Sequence, residues 1–453
     1  MSERREVVAR RTSSALRAVG LAGLLACLVT GRAAGQDPSE VRVGITYTPG
    51  FRPGLVMTPV ERPDGLAEMA DSLEAILRRD LDYSDRFEII PVPSDMPSGG
   101  PVNYGLWNQL GAVWLLRADL SGTESFPVLR LTLHDVVFGE LKEVQAFSLP
   151  AGGSASFRLA VHSAADAAVQ WATGDPGIAA TRIVFRRKLG DGASDIFIVD
   201  SDGFNLRRLT NDNSIVYSPA LSPDGTRLLY VSYISGEPAV YEKNLTTGRI
   251  RTISAAPGLN ITPVYSPDGR RILLARSVGG RTELFDMQAD PLCCASRVTV
   301  TRGGDALNPS YSPDGRRVSF TATPLGQPQV YVQNVNSTPA RIISRYVFGE
   351  EGYSTSPDWS PRGDRIAYHG WIDRVFQIVT VNPDGSDRRV LTSTGSNEDP
   401  SWAPDGRHLV FASERSSGRA LLILDTVSGR IRTLTRGRVD QLPDWSDALP
   451  AGP

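Results

Sequence analysis

The sequence predicts an α/β N-terminal domain followed by an all-β six-bladed β-propeller, and three observations carry that prediction. A tetrapeptide of Ser-Pro-Asp-Gly type returns five times, at intervals of 44, 46, 48 and 43 residues. An apolar run follows each copy, as a unit of four short strands requires. Ahead of the repeats, strand-like segments interleave with two long helical periods, the pattern of helices laid on a mixed sheet.

The chain has 453 residues, 41% of them hydrophobic and 22% charged, enough to bury a full core. Its formal net charge of -2 lacks the field of a nucleic-acid binder. Four His and three Cys, scattered, do not supply the convergent sets that zinc needs, and no cofactor is expected.

Residues 1–35 read as a secretory signal peptide. Arg4, Arg5, Arg10, Arg11 and Arg17 precede an apolar stretch, and Ala33, Ala34 and Gly35 offer a cleavage site. Only 14 residues separate Arg17 from Arg32, too few for a membrane span. Two alternatives stay open. Arg10-Arg11 suits a twin-arginine signal, and Leu24-Leu25-Ala26-Cys27 suits a lipoprotein site that would lipidate Cys27.

Residues 37–178 form the α/β domain. Strands are expected at 41–47, 87–92, 112–119, 128–138 and 141–149, with helices at 66–81, 104–110 and 156–173. The helices are expected to cover one sheet face. Gly174-Asp175-Pro176-Gly177 stops the last helix and marks the boundary. Thr48 to Gly54 contains glycines but not the order of a phosphate loop, so nucleotide binding is not expected. His134 and His162 read as packed or surface imidazoles.

Residues 180–447 are the propeller, built from WD40-like repeats. The tetrapeptides are Ser222-Pro223-Asp224-Gly225, Ser266-Pro267-Asp268-Gly269, Ser312-Pro313-Asp314-Gly315, Ser360-Pro361-Arg362-Gly363 and Ala403-Pro404-Asp405-Gly406. Pro presets φ near -65° and Gly accepts a positive φ, so each reverses the chain between strands a and b. Strands c and d follow in each unit. Residues 182–185 enter as a strand b without a turn ahead, and 442–446 end as a strand a without a strand b. These two halves complete a sixth, shared blade that closes the ring.

Tyr265, Tyr311, Trp359, Trp402 and Trp445 stand just before the turns and are expected to fill the wedge between blades. Asp200-Ser201-Asp202-Gly203 starts like a calcium loop but does not continue as one. Cys293-Cys294 are expected in a loop between strands c and d of the third complete unit. Two free thiols are the plainer reading there, with a vicinal disulfide or pairing to another chain as alternatives.

The tetrapeptide repeats, the six-blade count, the leader and the preceding α/β domain together resemble the TolB family of the Gram-negative envelope. The resemblance covers 37–447 and implies a periplasmic, non-catalytic component of the Tol-Pal system. Such a protein would bind the peptidoglycan-associated lipoprotein, lie peripheral to the outer membrane, and support envelope integrity and cell division. Glu40, Val41, Arg42 and Val43 are similar to the N-terminal segment through which the family engages TolA.

The family's partner face, where strand d of one blade crosses to strand a of the next, maps onto the residues before each strand-a proline. These are Ser218, Thr262, Asn308, Ser356, Asp399 and Leu442, with Tyr217, Ile261, Leu307, Thr355, Glu398 and Gln441 one step earlier. Independently of the resemblance, strand a lines the central channel, so its residues converge on one concave surface.

Competing readings are a lactonase-like, metal-dependent propeller hydrolase and a propeller that binds a glycan or peptide. The hydrolase needs converging metal ligands, for which Glu398 and Asp399 are the nearest candidates. A serine peptidase is not expected, since no G-x-S-x-G elbow occurs.

Overall fold

The structure, a computed structural model, describes residues 50–449 except 94–99, 302, 336, 338, 346, 348, 350, 351, 417, 437 and 438. The expected leader, Cys27, the 41–47 strand and the segment Glu40, Val41, Arg42 and Val43 lie outside the described residues. Among the described residues, no helix is long and apolar enough to cross a membrane.

The α/β domain runs β1 (Gly54–Met57), α1 (Ala67–Tyr83), β2 (Glu88–Ile90), α2 (Tyr104–Gln109), β3 (Ala112–Thr123), β4 (Phe126–Asp135), β5 (Glu140–Ser148) and α3 (Ala155–Thr173). The sheet order is β2-β1-β3-β4-β5. β1 pairs in parallel with β2 and β3, and the remaining pairs are antiparallel. β1 was not expected. Its apolar run is only three residues long and follows Pro53-Gly54, so it reads as loop until the sheet supplies two flanking partners.

Helix α1 buries Met69, Ala70, Leu73, Ile76, Leu77 and Leu81 at three- and four-residue spacing. Helix α3 starts where the Ser154 hydroxyl accepts the Phe157 amide at 3.0 Å and stops at Gly174, whose φ of 77° suits glycine. Both helices pack on the face that carries Leu55, Met57, Leu116 and Leu131. Val56 and Leu115, alternating with those residues, point to the other face and meet Trp107 of α2. The helices therefore cover both faces, a correction to the single covered face expected from sequence. Trp107 opposite a second apolar row is the reason.

Six four-stranded sheets of described residues make the propeller. Blade 1 comprises Val216–Leu221, Arg227–Ser232, Ala239–Asn244 and Ile250–Ser254. Blade 2 comprises Asn260–Tyr265, Arg271–Val278, Arg281–Gln288 and Cys293–Arg297. Blade 3 comprises Ala306–Tyr311, Arg317–Ala322, Gln329–Asn334 and Arg341–Ile342, and blade 4 Ser354–Trp359, Ile366–Ile372, Val375–Val381 and Arg389–Val390. Blade 5 comprises Ser396–Trp402, His408–Arg415, Gly418–Asp425 and Ile431–Thr433. In the closing blade, Asp440–Trp445 pairs with Arg182–Lys188, followed by Ser194–Asp200 and Arg207–Arg208. The six-blade ring with a shared closing blade is as the sequence predicts.

The tetrapeptides act as tight turns. The Ser222 hydroxyl donates to Asp224 at 2.5 Å and accepts the Arg227 amide at 2.9 Å, while Gly225 takes a φ of 66°. Aromatic residues fill the seams. Tyr265 packs with Leu229, Val231 and Val240 of blade 1, and its hydroxyl donates to Glu242 at 2.7 Å. Tyr311 donates in the same way to Asp286 of blade 2, at 3.0 Å. Trp445 closes the last seam and donates to Thr181 at 2.8 Å. Arg187 and Asp440, both buried, form a two-bonded ion pair at 2.7 and 2.9 Å inside the closing blade.

One expectation about blade 2 fails. Cys293 and Cys294 lie in strand d of the second complete unit, not in a loop of the third, and a disulfide joins them. Cys-Cys-Ala-Ser-Arg shows no apolar alternation, so nothing in its pattern announces a strand.

Connections a–b and c–d leave each blade at one end, and b–c and d–a at the other, because the strands run antiparallel. The α/β domain docks on the a–b and c–d end. Arg79 and Arg158 bind Asp202 in the c–d turn of the closing blade, and both guanidinium groups also pack on the Phe204 ring, at 4.5 and 4.8 Å from its centroid. Arg86 and Asp85 meet Asp405 and His408 of blade 5. Asp202, third residue of the Asp200-Ser201-Asp202-Gly203 segment that starts like a calcium loop without continuing as one, serves as an anchor for two arginines.

Candidate functional site: the central channel

Strand a of every blade carries the same irregularity. In blade 1, Tyr217 pairs with Val231 and Ala220 with Leu229, so Ser218 and Pro219 together face one residue. The same two-against-one step recurs in the other five blades. It is a β-bulge, where a proline costs no ladder bond.

The first bulge residue is left-handed in all six blades. Ser218, Thr262, Asn308, Ser356, Asp399 and Leu442 take φ of 48°, 47°, 48°, 52°, 54° and 50°. Residues with a Cβ avoid this region at a cost of about 1–2 kcal/mol each. The bulges aim all six residues at one cavity of about 380 Å³ on the propeller axis. The structure therefore brings the first row of sequence-predicted residues together. Tyr217, Ile261, Leu307, Thr355, Glu398 and Gln441 are half-buried and are not among the residues lining that cavity. The lining continues from the bulge toward the a–b turn, as Ser218 to Pro223 show. Tyr217 stacks on Tyr233 instead, and Glu398 binds Arg419 at 3.1 Å.

The left-handed residues also bond around the ring. Thr262 accepts the Asn308 amide at 3.3 Å, and the Ser356 hydroxyl donates to Asp399 at 3.2 Å. The Asp399 amide donates to His369 Nδ1 at 3.0 Å, which fixes that nitrogen as an acceptor. Burial pushes His369 down to about 4, so it is neutral at physiological pH.

A second ring, not anticipated from the sequence, lies one step past the prolines. Ser310 accepts the Trp359 amide at 3.0 Å and donates to Asp358 at 3.0 Å; Asp358 accepts the Trp402 amide at 2.7 Å. Ser401 accepts the Trp445 amide at 3.1 Å, and Asp444 accepts the Leu221 amide at 2.8 Å. Each of these side chains caps the strand-a backbone of the next blade. Ala220 and Val264 hold the equivalent positions in blades 1 and 2 and have no acceptor to offer. The available signal was a short polar residue directly after the proline in four of six units.

The channel is acidic. Asp358, Asp399, Asp444 and Asp447 line it, and among the described residues no Lys, Arg or His does so. Burial raises all four carboxyls, Asp358 to about 6 and Asp444 to about 8. Asp444 therefore keeps its proton at neutral pH.

Two groups of described residues bring metal-type ligands together elsewhere, Asp80 with His162 and Asp202, and Asp85 with His408 and Asp425. Arginines already occupy their carboxylates: Arg79 and Arg158 on Asp202, Arg430 on Asp85, Arg407 on Asp425. Resident cations of this kind oppose a metal, and both clusters are ion-pair networks joining the α/β domain to the propeller. Glu398 and Asp399, the sequence candidates for metal ligation, are engaged by Arg419 and Ser356.

A family model described as TolB beta propeller domain matches residues 169–449. The chain is 30% identical to the Tol-Pal system protein TolB of Bordetella avium over 96% of each chain. It is 27% identical to the protein of that name from Gluconobacter oxydans, over 89% of this chain and 87% of the relative. A third, from Methylococcus capsulatus, is 32% identical over 50% of this chain and 54% of its own length. Among solved structures, TolB from Acinetobacter baumannii has the same fold, with a TM-score of 0.76 at 24% identity over 88% of this chain and 98% of that one.

Proposed function

This chain belongs to the TolB family, and from that premise we propose that it is a non-catalytic, periplasmic component of the Tol-Pal system. Its partner would be the peptidoglycan-associated lipoprotein, held at the d–a mouth of the channel, with roles in outer-membrane integrity and cell division. The N-terminal segment Glu40, Val41, Arg42 and Val43 would engage TolA. The division into a leader at 1–35, an α/β domain at 37–178 and a propeller at 180–447 belongs to the same proposal.

One observation carries the reading: six bulges turn six side chains in unfavourable left-handed geometry toward one cavity. A fold that only needed to close would use glycine there, so side chains at these positions favour recognition. Among the described residues, none of the α/β domain lines that cavity. A rigid ring of capped strands also favours binding a partner without reorganisation.

Calorimetric titration of the mature protein with the soluble domain of the lipoprotein tests the reading. Saturable one-to-one binding is expected, with affinity at least tenfold weaker for Asn308→Arg at unchanged melting temperature. Absence of binding by the unsubstituted protein sinks the proposal.

A further inference from the structure

Two of the five tetrapeptides break the Ser-Pro-Asp-Gly pattern, and both reach the α/β domain. Arg362, in the Asp position of the fourth, binds Asp175 at 3.2 Å. In the fifth, Ala403 replaces the serine. Asp224, Asp268 and Asp314 each accept a bond from their own serine, at 2.5, 2.6 and 2.5 Å. Asp405 has no serine hydroxyl to accept. It takes the amides of Arg407 and His408 on Oδ1, at 2.9 and 3.0 Å, which leaves Oδ2 for the His408 ring.

His408 is fully buried and touches a carboxylate at each ring nitrogen. Nδ1 lies 2.7 Å from Asp405 Oδ2, and Nε2 lies 3.2 Å from Asp85 Oδ2. Asp85 belongs to the α/β domain, just past α1. Ionised carboxylates only accept, and a neutral imidazole donates from one nitrogen. Both bonds therefore require the imidazolium.

We propose that His408 is a proton-operated latch between the α/β domain and the propeller: doubly protonated, it ties Asp85 to Asp405, and loss of one proton releases that tie. The charged groups around it come from every neighbouring element. From the α1 end, Asp82 and Asp85 face Arg430, and Arg86 reaches Asp405 and Asp175. Arg52 stands 3.7 Å from Asp82. From blade 5, Arg407 forms a two-bonded pair with Asp425 and donates to the Asp85 carbonyl at 2.9 Å. Beside arginines that stay charged at any relevant pH, His408 is the cluster member that loses a proton above the ordinary histidine value.

The direction follows from the surroundings. Burial alone would lower the His408 pKa, but the attraction and hydrogen bonds of Asp405 and Asp85 raise it. A raised histidine stabilises the joint fully below its unfolded value near 6.5, and that support is lost as pH climbs through the folded value.

The test uses the full mature chain. Nitrogen-15 spectra of the imidazoles at pH 7 should show His408 protonated at both nitrogens, whereas His369 carries one proton. Amide exchange at residues 82–86, corrected for intrinsic chemistry, should accelerate at least tenfold across the His408 titration. In His408→Gln it should be fast at every pH. A singly protonated His408 at pH 6, or exchange at 82–86 that follows intrinsic chemistry alone, overturns the proposal, and both readouts come from the unsubstituted protein if the variant fails to fold.

Discussion

The Asp444 carboxyl accepts the Leu221 amide at 2.8 Å and so joins the last strand of the ring to its first complete blade. Because burial lifts Asp444 to about 8, the folded chain holds a proton that the unfolded carboxyl, near 4, releases. Stability from this site falls as pH rises from about 4 through about 8.

Asp444→Asn keeps the acceptor and removes the titration. Its melting temperature should fall less steeply between pH 5 and pH 9 than that of the unsubstituted protein, because other raised groups still titrate; equal slopes would refute the assignment. Asp444→Leu should be about 1–3 kcal/mol less stable than Asp444→Asn at every pH, since the Leu221 amide then lacks its partner.

Arg187 and Asp440 are both buried in the closing blade, and each satisfies the other with two bonds. Asp440→Ala strands a guanidinium in the interior and should cost about 3–5 kcal/mol, read by denaturant unfolding. A loss below 1 kcal/mol would mean that water reaches Arg187.

Leu442 is the apolar member of the left-handed ring, with φ of 50°. Leu442→Gly should raise stability by about 1 kcal/mol, because glycine adopts this conformation without a Cβ clash. The same change should weaken lipoprotein binding, so stability and affinity move in opposite directions. A destabilised variant would show that the side chain packs rather than waits.

Cys294 is exposed and joined to Cys293. Iodoacetamide should leave both unlabelled in the native protein and label both after reduction, as intact mass will record. Labelling without reductant would restore the free-thiol reading.

The blade count, the shared closing sheet and the first row of channel residues were legible because turns and prolines repeat in register along the chain. The left-handed bulge was not. Ser, Thr, Asn, Asp and Leu carry no common backbone signal, and only the ring geometry forces them into one conformation. The second row, Tyr217 to Gln441, lies outside the cavity lining, because the cavity runs from the bulges toward the a–b turns. Strand d of blade 2 was missed for lack of apolar pattern, and α2 was put on the wrong face because a six-residue helix has too few turns to show which side it buries.

Residues 440–445 supply the innermost strand of a sheet whose other members begin at residue 182. On a ribosome, that strand is made after every other part of the ring. The early blades must wait with an unmatched flank for roughly the time needed to synthesise the whole propeller, so maturation is governed by arrival of the tail rather than by any individual blade.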